Sequence, residues 1–147
     1  MSGLFDPVEA KRSSAGTRDA ALVEAYLRVG RTLDDLPYTD DFERVYEAAG
    51  GVETWGSRRD ALHRLMNLRK AGKLPKLGRA ASPAVMVTAD EDAVLIDLVV
   101  EAAGTLGQRD QLLYDAKFDG VVQGFNARTG RNLGPHDVWR LVAKLAK

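Results

Sequence analysis

The sequence predicts an all-α protein: two tandem copies of a helical unit, about four helices each, packed as one compact bundle. Three observations predict it. Apolar residues recur at helical spacing along most of the 147-residue chain, with start and stop signals at the ends of each run. The one strand-like run, Val85-Met86-Val87, is too short to build a sheet by itself. Apolar and aromatic residues of the two halves match at a constant offset of 76.

The elements follow in order. Residues 1–16 are polar and rich in small residues, with Gly3, Pro7, Ser13-Ser14 and Gly16, and read as a flexible N-terminal arm. Thr17 is placed to cap a helix that carries Leu22, Val23, Tyr26, Leu27 and Val29 and stops at Gly30. A short turn spans 33–36, before Pro37. Thr39 or Asp40 opens the next helix, where Phe42, Val45, Tyr46 and Ala49 share a face and Gly50-Gly51 ends it. Thr54-Trp55 reads as a loop. Ser57 starts a longer helix with Ala61, Leu62, Leu65, Met66 and Leu68 inward, stopped at Gly72.

After a connector containing Pro75, Gly78 and Pro83, the pattern restarts. Thr88 with Glu91 has capping-box spacing and precedes Val94, Leu95, Leu98, Val99 and Ala102; Gly104 closes that helix. A short helix covers 108–113. Asp115 caps a helix through Phe118, Val121, Val122 and Phe125, ended by Gly130. Pro135 then opens the last helix, where its missing N–H costs nothing, with Val138, Leu141, Val142 and Leu145 inward. The expected organisation is an arm at 1–16, a first repeat at 17–72, a linker at 73–87 and a second repeat at 88–147.

The repeat rests on pairs 76 residues apart: Leu36 with Leu112, Tyr38 with Tyr114, Phe42 with Phe118, Val45 with Val121, Arg64 with Arg140 and Leu65 with Leu141. Duplicated units of this size bury each other's apolar faces. Phe118, Phe125-Asn126, Thr129-Gly130, Leu133 and Val138-Trp139-Arg140 resemble a helical repeat module of uncharacterised bacterial proteins, and the same stretch is loosely similar to ARID and Myb-like DNA-binding helices. The regular tryptophan spacing of a Myb repeat is missing, so the resemblance implies a helix-turn-helix-like pair and transfers no functional residue. The loop between these helices, about six residues, exceeds the three or four of a standard helix-turn-helix.

Composition narrows the function. With 45% hydrophobic residues the chain can form a core, and with no cysteine it has no disulfide, thiolate chemistry or thiolate metal site. That fits a cytoplasmic location. Neither an apolar run long enough to span a bilayer nor a basic, apolar leader at the start is present, so no membrane partner is expected.

Catalytic signatures are missing. His63 and His136 lack a carboxylate cluster at ligand spacing. No serine lies in a nucleophile elbow. The acidic runs Asp34-Asp35, Asp40-Asp41 and Asp90-Glu91-Asp92 read as helix N-terminal acids that complement the helix dipole. No enzyme and no cofactor are therefore expected.

Net charge is zero, yet it is segregated. The window 57–79 carries +7 and the window 126–147 carries +4, balanced by acids elsewhere. Cations at a helix C-terminus account for Arg69 and Lys70. They do not account for Arg58 and Arg59 at a helix N-terminus, which need a nearby acidic helix or a bound phosphate. The expected function is a non-enzymatic nucleic-acid-binding accessory protein, DNA-associated, using Arg58, Arg59, Arg69, Lys70, Lys73, Lys76, Arg79, Arg128, Arg131 and Lys144 on phosphates of DNA or RNA. The alternative is a helical protein–protein adaptor or self-assembling structural protein with segregated acidic and basic faces. A solvated face, or pairing within the fold, is the plainer account of the same charges.

Overall fold

A computed structural model describes residues 7–78 and 82–145, with side chains from residue 16 onward. Those residues form seven α-helices: α1 (Pro7–Val29), α2 (Asp40–Ala48), α3 (Gly51–Trp55), α4 (Arg58–Lys70), α5 (Ala89–Ala103), α6 (Ala116–Thr129) and α7 (Pro135–Lys144). Two 3-10 helices, Leu33–Asp35 and Leu106–Leu112, precede α2 and α6. No strand occurs among the described residues, so the all-helical class holds.

Most boundaries follow the expected chemistry. Ser57 accepts the Asp60 N–H at the start of α4. Thr88 and Glu91 form both halves of a capping box at α5. Asp115 accepts the Lys117 N–H at α6, Gly130 closes α6 in the left-handed region, and Pro135 is the first residue of α7.

Two expectations are corrected. Helix α1 begins at Pro7 rather than at a Thr17 cap, so the part of the expected arm from Pro7 on is helical, and residues 1–6 lie outside the described residues. The cause is that proline suits a first turn, while the paired serines cost an interior only tenths of a kcal/mol each, roughly. Thr54-Trp55, read as a loop, lies in α3. Gly50 at φ 118° and Gly51 at φ 59° break α2 and allow a new turn to start at once. The Trp55 indole N–H bridges the break by donating to Ala49 O at 3.1 Å.

The chain divides into two compact units. The first comprises α1 to α4. Its core is built from Leu22, Ala25 and Tyr26, from Phe42, Val45 and Tyr46, and from Leu62, Leu65 and Met66, all buried. The second comprises α5, α6, α7, the second 3-10 helix and residues 31–39. This last segment lies between α1 and α2 in sequence yet belongs to the other unit; we call it the strap. Leu33, which opens its 3-10 turn, and Leu36, which follows it, are buried.

Within the second unit α5 lies along α6, and Gly124 brings them close: a Cβ there would stand 2.9 Å from Leu98 Cδ2. Phe118 stacks on Tyr38 with ring centroids 5.3 Å apart and meets Trp139 edge-on at 6.0 Å.

Phe42, Leu65, Phe118 and Leu141, expected in the core from their spacing, are all buried. Phe118 is fully enclosed, so Phe118→Ala should cost on the order of 3–5 kcal/mol in chemical denaturation. A loss below about 1 kcal/mol would mean that its neighbours collapse into the space, or that its face is not core.

Candidate functional site

Helix and loop geometry sort the expected basic residues into those held inside the fold and those presented to solvent. Arg58, at the start of α4, donates from Nε to both carboxylate oxygens of Glu43 at 2.7 and 2.8 Å, and its guanidinium lies 5.0 Å over the Tyr46 ring. The acid of a neighbouring helix is therefore what tolerates a cation at a positive helix end. Arg59 is half-buried beside it. Arg64 pairs with Asp19 at 2.6 Å and, as that carboxylate's strongest partner, holds it below its ordinary range; Lys73 adds a weaker attraction.

The rest of this group lies at the far end of α4. Arg69 and Lys70 occupy its last turn, and Lys73 and Lys76 follow the left-handed Gly72; all four are exposed. Arg79 lies outside the described residues. In the second unit Arg128 and Lys144 are exposed in the last turns of α6 and α7. Arg131 is engaged: it donates to Glu91 at 2.5 and 3.0 Å and to Met86 O at 2.8 Å, tying the start of α5 to the α6–α7 loop.

The most concentrated polar site in the second unit is one that sequence reasoning missed. Asp35, read as a helix N-terminal acid that complements the dipole, is 1% exposed. Its Oδ1 accepts from His136 Nε2 at 2.8 Å and faces Arg140 Nε at 3.2 Å. Its Oδ2 accepts from Arg31 Nε and from the Ser82 N–H, each at 3.1 Å. Arg140, itself buried, also donates to Ser82 O at 3.1 Å and to Pro83 O. Burial pushes the Asp35 carboxyl up. Hydrogen bonds from His136 and Ser82, with the charge of Arg31, outweigh that and hold it below its ordinary 3.8. The one legible signal was Arg140 itself, a cation inside the otherwise apolar run 138–143 of a short helix.

An aspartate, a histidine and a serine in contact invite comparison with a nucleophilic triad. The geometry differs from one. His136 turns Nε2 to Asp35 and has Nδ1 3.7 Å from Asp137 Oδ1, so both ring nitrogens face carboxylates. Ser82 Oγ instead accepts from Arg31 at 2.6 Å. The cluster fastens the strap, the connector and α7 to one another. Among the described residues no group of three or more His, Asp or Glu is placed to hold a metal ion, and no helix is long and apolar enough to cross a membrane.

The second unit also carries an open cleft of about 430 Å³ between α5 and α6. Leu98, Ala102 and Val121 line it together with Gly120, whose missing side chain leaves open space; Glu101 and Lys117 line it as well, one from each helix. The residues behind the ARID- and Myb-like resemblance build the neighbouring α6–α7 corner. Asn126 donates to Leu133 O at 2.8 Å and accepts the Leu133 N–H at 3.0 Å, closing the loop.

The Glu91–Arg131 pair gives a pH prediction. The hydrogen bond from Arg131, with that from the Thr88 N–H, holds the Glu91 carboxyl at about 2 instead of 4.5. A depressed carboxylate stabilises the fold above its ordinary value and ceases to as pH falls through the folded value. The tie between α5 and the α6–α7 loop should therefore persist through pH 4.5 and be lost toward about 2. Carboxyl NMR titration checks this: Arg131→Gln should move Glu91 most of the way back to its ordinary range, whereas a wild-type Glu91 already titrating there would contradict the pairing.

Set against known proteins, the chain matches no family model, no curated protein and no solved structure.

Proposed function

We propose that this chain is a non-enzymatic nucleic-acid-binding accessory protein, DNA-associated, whose contact surface is the C-terminal end of α4 and the loop after it. The observation that carries the reading is exposed positive charge crowded on one helix end with no acid near it in sequence. Arg58, Arg64 and Arg131 are taken up by Glu43, Asp19 and Glu91. Arg69, Lys70, Lys73 and Lys76 are exposed together, in a stretch with no acidic residue between Asp60 and Asp90. Cations crowded on one helix end repel one another, and neutralisation by a phosphate backbone relieves that repulsion while releasing counterions. Phosphate contact positions a protein on nucleic acid without reading bases, so the expected binding is tolerant of sequence.

Duplication belongs to the same reading. It is supported by Tyr38 and Tyr114, which lie 76 residues apart, adopt left-handed backbone at φ 64° and 54°, and stack with centroids 4.3 Å apart. Each donates its N–H to the other's phenolic oxygen at 2.6 Å. A bulky residue in that backbone region costs roughly 1–2 kcal/mol, so two at matching positions are informative. A second reading, a helical protein–protein adaptor, is favoured by the open α5–α6 cleft.

Mobility shift on mixed DNA and RNA at two salt concentrations tests the proposal. Replacing Arg69, Lys70, Lys73 and Lys76 with Ala should weaken binding about equally for every sequence. It should also flatten the slope of log affinity against log salt by about 0.9 for each lost duplex phosphate contact. Arg58→Ala, which removes a cation already paired, should leave the slope unchanged. Absence of binding at low salt would reject the reading.

A further inference from the structure

We propose that the α5–α6 cleft of one copy receives the basic α4 end and following loop of a second copy, so that the chain assembles head to tail. The cleft has an apolar lining of Leu98, Ala102 and Val121, and Gly120 opens it further. Glycine in the middle of a helix costs roughly 0.5–1 kcal/mol against alanine. Gly124 is accounted for by its close approach to Leu98; Gly120 has nothing within 4 Å of where its Cβ would lie. It leaves a gap that an incoming segment can fill.

Charge selects the occupant. Helix α5 carries Asp90, Glu91, Asp92, Asp97 and Glu101 and no cation. Glu91 is spent on Arg131. Asp97 and Glu101 are exposed, and neither forms an ion pair among the described residues. A second α5–α6 edge is a poor occupant, because two acidic helices would face each other and like charges repel. The best complement in this sequence is Lys73-Leu74-Pro75-Lys76-Leu77. Lys73 and Lys76 are exposed and form no ion pair among the described residues, and Leu77 is half-exposed and can enter the cleft. Lys117 is a cation on the same cleft and lines it with Glu101, while Asp97 stands one helical turn before Glu101 on α5, so Lys117 weakens the match without reversing it. Because the acidic and basic surfaces are different patches, the contact is heterologous and propagates from copy to copy. This inference shares Lys73 and Lys76 with the nucleic-acid surface, so a polyanion and a second copy compete for the α4 end.

Charge reversal tests it by sedimentation velocity on nuclease-treated full-length protein. Wild type should show average mass rising with concentration at low salt and falling back to monomer at high salt. Asp97→Lys with Glu101→Lys in one variant, and Lys73→Glu with Lys76→Glu in another, should each be monomeric alone. Mixed together they should associate again, because every surface then finds its opposite. Gly120→Leu, which fills the cleft where space is open, should also abolish association while circular dichroism shows helicity retained. The α5 variant leaves the α4 end untouched, so it should lose assembly and keep nucleic-acid binding; this separates failure of the assembly inference from failure of the nucleic-acid reading. A wild type monomeric at every concentration, a mixture that stays monomeric, or a mass that plateaus at dimer and ignores the α4 variant would each overturn the proposal.

Discussion

A carboxylate sealed from water is the constraint on which the second unit depends. Desolvating an ionised carboxyl costs several kcal/mol unless its oxygens are fully occupied. At Asp35 they are occupied by donors from three separate places: Arg31 in the strap, Ser82 in the connector, and His136 with Arg140 on α7. No single partner satisfies the group, so none of the three segments can leave without stranding charge. The consequence reaches Tyr38. Once Asp35 is fixed, the strap's next residues are held where a left-handed tyrosine meets its counterpart at Tyr114 and its ring stacks on Phe118. Apolar burial of Leu33 and Leu36 supplies attraction at the same place, but attraction without direction. Direction comes from the carboxylate.

Helices and their ends were legible in the sequence because each is encoded locally. The Thr88–Glu91 box, the Asp115 cap, Gly130 and Pro135 sit within four residues of the groups they satisfy. Thr17 misled because a residue suited to capping also tolerates a helix interior, and an upstream Pro7 began the helix first. The Asp35 cluster was not legible. Its members stand at positions 31, 35, 82, 136 and 140, and no local pattern joins a short acidic turn to the last helix a hundred residues on. The Asp34-Asp35 pair reads as acids complementing a helix start; only the turn's rotation sends one of them inward.

The candidate surfaces were legible in part for the same reason. Segregated charge is a property of sequence windows, so an electropositive stretch at 57–79 was visible. Which of its cations the fold consumes was not, because Glu43 and Asp19 arrive from other helices. With Arg58 and Arg64 held by those acids, the cations crowded at the α4 end are Arg69, Lys70, Lys73 and Lys76, all exposed. The acids of α5 are thinned in the same way, with Glu91 tied to Arg131, Asp97 and Glu101 exposed, and Glu101 lining the cleft. The two exposed surfaces carry opposite signs, so a chain with no net charge still has strongly segregated charge.

The measurement that tests this account most directly is a double-mutant cycle between Asp35 and Arg140 in chemical denaturation. If the buried carboxylate organises the unit, Asp35→Ala strands two arginines and should cost about 3–5 kcal/mol, and Arg140→Ala should cost a comparable amount. The double variant should then cost far less than the two together, because each change removes the partner that the other leaves unpaired. Costs that simply add to within about 0.5 kcal/mol would show the two groups to be independent, and would contradict the carboxylate's place at the centre of the structure.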